Sequence, residues 1–167
     1  YRMEGRSVKE EKLILTQQEK NQMIGFLRQN YLPENRYYLY DFFYNNCSTK
    51  IWDVAKSQVN SKLEFDTSNY TPESFRDLLY PYLETVPWAR LGIDLLLGVP
   101  ADKTATFSQQ MYLPDYLSRN MSHTFRNNPV DGRKNLLGPE QVILERNPAK
   151  SGFQTPVIGP VHAGWLF

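Results

Sequence analysis

Cys47 is the single cysteine of the 167-residue chain, and a thiol is the strongest nucleophile its side chains offer. It follows Asn45-Asn46 and precedes Ser48-Thr49-Lys50. Just beyond it, Ile51, Trp52, Val54 and Ala55 have the spacing of a helix's buried face. A thiol with an ordinary pKa of about 8.5 reacts poorly at neutral pH, and a helix N-terminus favours the thiolate. The first-turn amides would point at the sulfur and could bind an oxyanion, with Asn46 and Ser48 or Thr49 adding donors. The competing reading is a buried, inert thiol, which spacing alone favours.

Such a nucleophile wants a general base, usually histidine. The chain has two, His123 in Met121-Ser122-His123-Thr124 and His162 in a Gly/Pro-rich stretch. Neither is flanked by residues that would orient an imidazole, so surface or capping roles are expected for both. One cysteine and two such distant histidines show no zinc spacing, and neither a metal nor another cofactor is expected. Asp41 and Asp53 bracket Cys47. Arg90 and Asp94 stand one helical turn apart and are expected to pair, because an acid on an apolar helix needs a partner or a function.

The elements that must position these residues are legible in part. Residues 1–15 hold a charged stretch ending in Leu13-Ile14-Leu15 that reads as an exposed strand, and Thr16-Gln17-Gln18-Glu19 fits a capping box opening a helix through Met23, Ile24, Leu27 and Tyr31. The run Arg36–Tyr44 is too aromatic to be a solvated loop and ends as a strand or turn at Cys47. Ser57–Asn69 is expected to loop out. Thr71-Pro72-Glu73 reads as the start of a helix ending near Pro81. Pro87–Leu97, stopped by Gly98, reads as a core helix, apolar on most sides. Ser108 is expected to cap a further helix that Pro114 kinks or breaks.

Composition bounds the whole. With 41% hydrophobic and 14% aromatic residues, the chain has the material for one α+β domain, predominantly helical. Residues 1–126 read as its cysteine-bearing part. Residues 127–167 read as a Gly/Pro-rich arm, ending loosely ordered, with one short strand at Gln141–Leu144. A net charge of +1, from scattered charges, offers no electrostatic footprint for nucleic acid. No apolar run is long enough to span a bilayer, although Trp165-Leu166-Phe167 could approach a membrane segment beyond it.

Two longer stretches carry a resemblance. Leu32-Pro33-Glu34-Asn35-Arg36-Tyr37, then Tyr40-Asp41-Phe42-Phe43-Tyr44-Asn45-Asn46-Cys47-Ser48-Thr49, resemble the hallmark of a bacterial envelope family. It is the N-terminal periplasmic domain of Lnb-type lipoprotein N-acyltransferases. Pro87–Gly98 followed by Pro100-Ala101-Asp102 is similar to its second signature, and Glu4-Gly5-Arg6-Ser7-Val8 fits members from Bacteroides-like bacteria.

The resemblance covers residues 1–120 or so and implies a papain-like thiol fold, circularly permuted so that the catalytic histidine precedes the cysteine. Cys47 then maps onto the nucleophile that holds an acyl group as a thioester. Tyr40, Asp41, Tyr44, Lys50, Arg90 and Asp94 fall at positions that would support it. Lys50 stands where many relatives have Arg, which keeps the charge but loses bidentate geometry. No histidine precedes Cys47. The expectation is therefore a chain that is the C-terminal part of the domain, catalytically silent by itself. The implied setting is the periplasmic side of the envelope, tethered to the inner membrane outside this segment, with a lipid or lipoprotein ester as substrate. A non-catalytic envelope binding module and a papain-like cell-wall peptidase or amidase are the alternatives.

Overall fold

A computed structural model of the chain describes residues 5–60, 62–129 and 132–146. His162 and the Trp165-Leu166-Phe167 tail lie outside the described residues. The chain divides into two compact units, a larger one of Val8–Tyr70 and Phe107–Ile143, and a smaller one containing Thr71–Thr106.

The larger unit carries the cysteine. Its first strand, β1 (Val8–Glu10), pairs with β7 (Gln141–Leu144). Helix α1 (Gln17–Tyr31) opens on the capping box foreseen from Thr16 and Glu19. Glu19 is buried, and its Oε2 accepts from the Thr16 backbone at 2.8 Å and lies 3.4 Å from Arg126 Nη1. A buried acid thus closes the helix start and offsets a buried guanidinium. Helix α2 (Cys47–Gln58) packs against α1. The Asn60 Nδ2 bond to Gln22 Oε1 (2.8 Å) ties the chain just past α2 to α1.

One expectation fails in this unit and another holds only in part. The segment Ser57–Asn69 is not all loop, because β2 (Lys62–Phe65) pairs antiparallel with β5 (Thr124–Asn128), which pairs in turn with β6 (Gly132–Asn135). Strand β2 mixes charged and apolar residues over four positions, too short a stretch for alternation to declare itself. Leu13 is only an isolated bridge to Leu137, the strand proper lying earlier at β1. Trp52 and Ala55 of α2, and Val59 just after it, form the core with Met111, Leu117, Met121, Leu136 and Leu137. Met111 lies in a 3₁₀ turn, Gln109–Tyr112, and Leu117 and Met121 in α5 (Pro114–Ser122). Pro114 does break the helix expected after Ser108, by taking the first position of a new one.

In the smaller unit, α3 (Phe75–Leu83) is capped by Ser74 in a capping box with Asp77, three residues later than Thr71 suggested. The short pair β3 (Glu73–Ser74) and β4 (Thr104–Ala105) precedes the helix start. Helix α4 (Pro87–Leu97) ends where the sequence stops it and takes in the opening Pro87-Trp88, with Pro87 at its first turn and Gly98 at φ +57 after it. It is not a core helix: none of its residues is buried, and Leu95 and Leu96 are 76% and 85% exposed. The buried side chains of this unit are Phe75, Leu78, Leu79, Ala101 and Ala105. The mixed helices and small antiparallel sheets make an α+β chain.

Candidate active site

Cys47 stands at the first position of α2, and it is exposed. The thiol is therefore not the buried one that spacing alone favours. Asn46 is buried and holds the helix start from both ends of its amide. Its Oδ1 accepts from Ser48 N–H (2.8 Å) and Thr49 N–H (2.9 Å), while its Nδ2 donates to the carbonyls of Phe42 and Tyr112 (both 2.9 Å). Thr49 Oγ1 accepts from Asn46 N–H at 2.8 Å and completes a capping box.

The consequence for the oxyanion donors is specific. Of the four backbone donors at a helix start, three are taken by the cap: those of Asn46, Ser48 and Thr49. These donors, expected to face an oxyanion, instead fix the turn. The amide left over is that of Cys47 itself.

The aromatic run is neither strand nor core. Phe43 alone turns inward, 6% exposed, with its ring edge-on to Phe42 (5.2 Å) and Tyr112 (5.5 Å). Asp41 and Asn45 exchange backbone hydrogen bonds at 3.1 and 3.0 Å, closing a turn across Phe42, Phe43 and Tyr44. Asp41 Oδ1 accepts from the N–H groups of Phe43 (2.9 Å) and Tyr44 (2.8 Å), an Asx-type brace, and Asn45 Nδ2 donates to Leu39 O. With the backbone so satisfied, the side chains of Tyr37, Tyr38, Leu39, Tyr40 and Tyr44 are left facing solvent. Tyr38 and Tyr40 pair at 6.5 Å, and Lys50 Nζ sits 5.0 Å over the Tyr38 ring.

No imidazole among the described residues is hydrogen-bonded to the thiol. His123 caps the end of α5, its Nδ1 lying 2.8 Å from Arg119 O, in the capping role expected of it. Arg90 and Asp94 do not pair. Asp94 is taken by Arg76, which also holds Asp102 (2.6 Å) and the Gly98 carbonyl (2.8 Å), while Arg90 stacks 3.7 Å over the Tyr80 ring. Asp102 and then Asp94 raise the Arg76 pKa above its ordinary value. The sequence reading missed Arg76 because its partners lie 18 and 26 residues away, beyond any helical spacing. Among the described residues no cluster of His, Cys, Asp and Glu could hold a metal ion.

Residues 1–81 match the family described as the Lnb N-terminal periplasmic domain. That stretch, just under half of the chain, is similar to the family. The Lnb-type segment takes in α1, the braced aromatic turn, Cys47 with α2, β2 and most of α3. The family is a periplasmic one, which agrees with an envelope setting. No helix of the described residues is long and apolar enough to cross a membrane. Neither the curated proteins nor the solved structures yield a match.

Proposed function

We propose that this chain carries the nucleophile of an envelope thiol acyltransferase or hydrolase acting on a lipid or lipoprotein ester. The single observation that carries the reading is the exposed Cys47 at the first position of α2, presented by a turn whose polar groups are otherwise occupied. The sulfur attacks the ester carbonyl, and the Cys47 N–H is placed to donate to the developing oxyanion. The tetrahedral species collapses, the alcohol leaves with a proton, and the acyl group stays on sulfur as a thioester. An amine that attacks it takes the acyl group as an amide; water takes it as a carboxylic acid. Either step returns the thiol.

The activating base lies outside the described residues in this reading, within a permuted papain-like arrangement, and attachment to the inner membrane lies outside them too. Tyr40 and Tyr44 are exposed in the aromatic run that precedes the nucleophile, Lys50 adds a cation in the first turn of α2, and Asp41 braces the turn. Arg90 and Asp94 have their own partners and take no step.

The test follows a labelled acyl chain from phosphatidylglycerol vesicles to water or to an added lipopeptide amine, with the full-length protein. Transfer abolished by Cys47→Ala supports the reading. Transfer that survives the substitution contradicts it. The exposed aromatic run favours one alternative, a non-catalytic module that binds lipid or peptide, for which Cys47→Ala would leave vesicle binding and phenotype unchanged.

A further inference from the structure

Helix α5 buries Leu117 and Met121, while Asp115, Ser118, Arg119 and Ser122 fall at i, i+3, i+4 and i+7 and share another face. That face lines an open cleft of about 1120 Å³. The rest of the lining comes from Lys9 and Glu11 early in the chain, from Asn135 of β6, and from the stretch through Glu140 that leads into β7. All of these residues belong to the larger unit, and Cys47 is not among them.

Five charged side chains line the cleft, and two of them settle each other. Lys9 Nζ lies 3.0 and 3.1 Å from the two carboxylate oxygens of Glu140. The Glu140 hydrogen bond and charge, then the weaker fields of Asp115 and Glu11, raise the Lys9 pKa above its ordinary value. Glu11 is half-buried, and its Oε2 accepts from Ser118 Oγ at 2.7 Å. A hydroxyl brings no charge, and among the described residues no cation forms an ion pair with Glu11. A carboxylate drawn partly out of water gains from one. Arg119 is exposed, with its guanidinium 4.2 Å over the Tyr116 ring and its Nε only in a long 3.5 Å contact with Asn120 Oδ1. Among the described residues no acid pairs with it, so its fork of Nη donors is open to a carboxylate.

A lone amine would leave Arg119 unmatched, and a lone acid would leave Glu11 unmatched. A ligand with both an ammonium and a carboxylate answers the two together. The cleft is as large as the largest small-molecule pockets, which run to about 1,000 Å³, so it has room for several residues of peptide. Ser122 and Asn135 add a hydroxyl and an amide to the lining, groups that suit the peptide units between the two ends. We infer that the cleft beside α5 binds a short peptide with free termini, its ammonium at Glu11 and its carboxylate at Arg119. The site stands apart from the acyl chemistry, because Cys47 does not line it.

Calorimetric titration of the intact chain with the tripeptide Ala-Ala-Ala tests the site. The tripeptide should bind with a Kd of about 1 mM or tighter. Its N-acetylated and C-amidated forms should each bind at least tenfold more weakly. Glu11→Gln keeps an acceptor for Ser118 and should erase the difference between free and acetylated peptide, leaving the penalty for amidation in place. Arg119→Met should do the reverse. Binding weaker than about 1 mM overturns the proposal, as does either blocked peptide binding as tightly as the free one. The blocked peptides are read on the unaltered protein, so the test stands even if a variant fails to fold. Glycerophosphoethanolamine binding as tightly as Ala-Ala-Ala would make this a headgroup site and overturn the peptide occupant.

Discussion

Asn46 makes four hydrogen bonds through its side chain, two as acceptor to the amides of Ser48 and Thr49 in α2 and two as donor to the carbonyls of Phe42 and Tyr112. It therefore joins the aromatic turn, the Tyr112 carbonyl and the helix start at one point, and the exposure of Cys47 follows from it. Replacing it by alanine removes the cap and the two bonds to the Phe42 and Tyr112 carbonyls. Asn46→Ala should lower stability by roughly 2–3 kcal/mol in urea unfolding, more than a surface cap loses, because the group is buried. A loss below about 0.5 kcal/mol would mean the turn is held elsewhere. Asp41 acts on the same turn through its own Asx brace, so its part is to shape the loop. Arg76 shows the same logic in the smaller unit, one guanidinium collecting two acids and a carbonyl.

Helices were the legible elements. The capping box of α1 and the Pro87 and Gly98 boundaries of α4 are local chemistry, written within a few residues of where they act. What α4 packs against is not local. Its leucines read as core by composition, yet they are exposed, whereas Phe75 and Leu78 of α3 are fully buried. Apolar content shows that a face seeks cover without saying what covers it. The strands were harder still, since β2, β3 and β4 have four residues or fewer and are defined by distant partners. The aromatic run misled for a related reason: one ring in it, Phe43, is buried, and the braced backbone needs no more. Substitution separates the two helices. Leu95→Ser and Leu96→Ser should each change stability by no more than about 0.5 kcal/mol, while Leu78→Ala should cost about 3 kcal/mol. Thermal unfolding of the three variants checks this, and comparable losses at all three positions would place α4 in a core.

For the chain as a whole, the family match and the folded unit do not coincide. The match stops at residue 81, inside α3, but the unit that holds Cys47 is completed by Phe107–Ile143. Five of the eight residues in its buried cluster, Met111, Leu117, Met121, Leu136 and Leu137, come from that later stretch. β5, which supplies Arg126 to Glu19, comes from there as well. A chain ended after Thr106 should therefore lose the cooperative thermal transition and the dispersed amide spectrum of the intact chain, even though it keeps the whole matched segment. A folded product of that length would show that the core can close without its second half.

The central claim is that acyl groups arrive on Cys47. Intact-mass spectrometry of the full-length protein after incubation with p-nitrophenyl octanoate tests it most directly. The account predicts a single octanoyl adduct, removed by hydroxylamine and absent from Cys47→Ala, formed at least tenfold faster than on glutathione at the same pH. An adduct that persists in Cys47→Ala, or a rate no greater than that of glutathione, would contradict it.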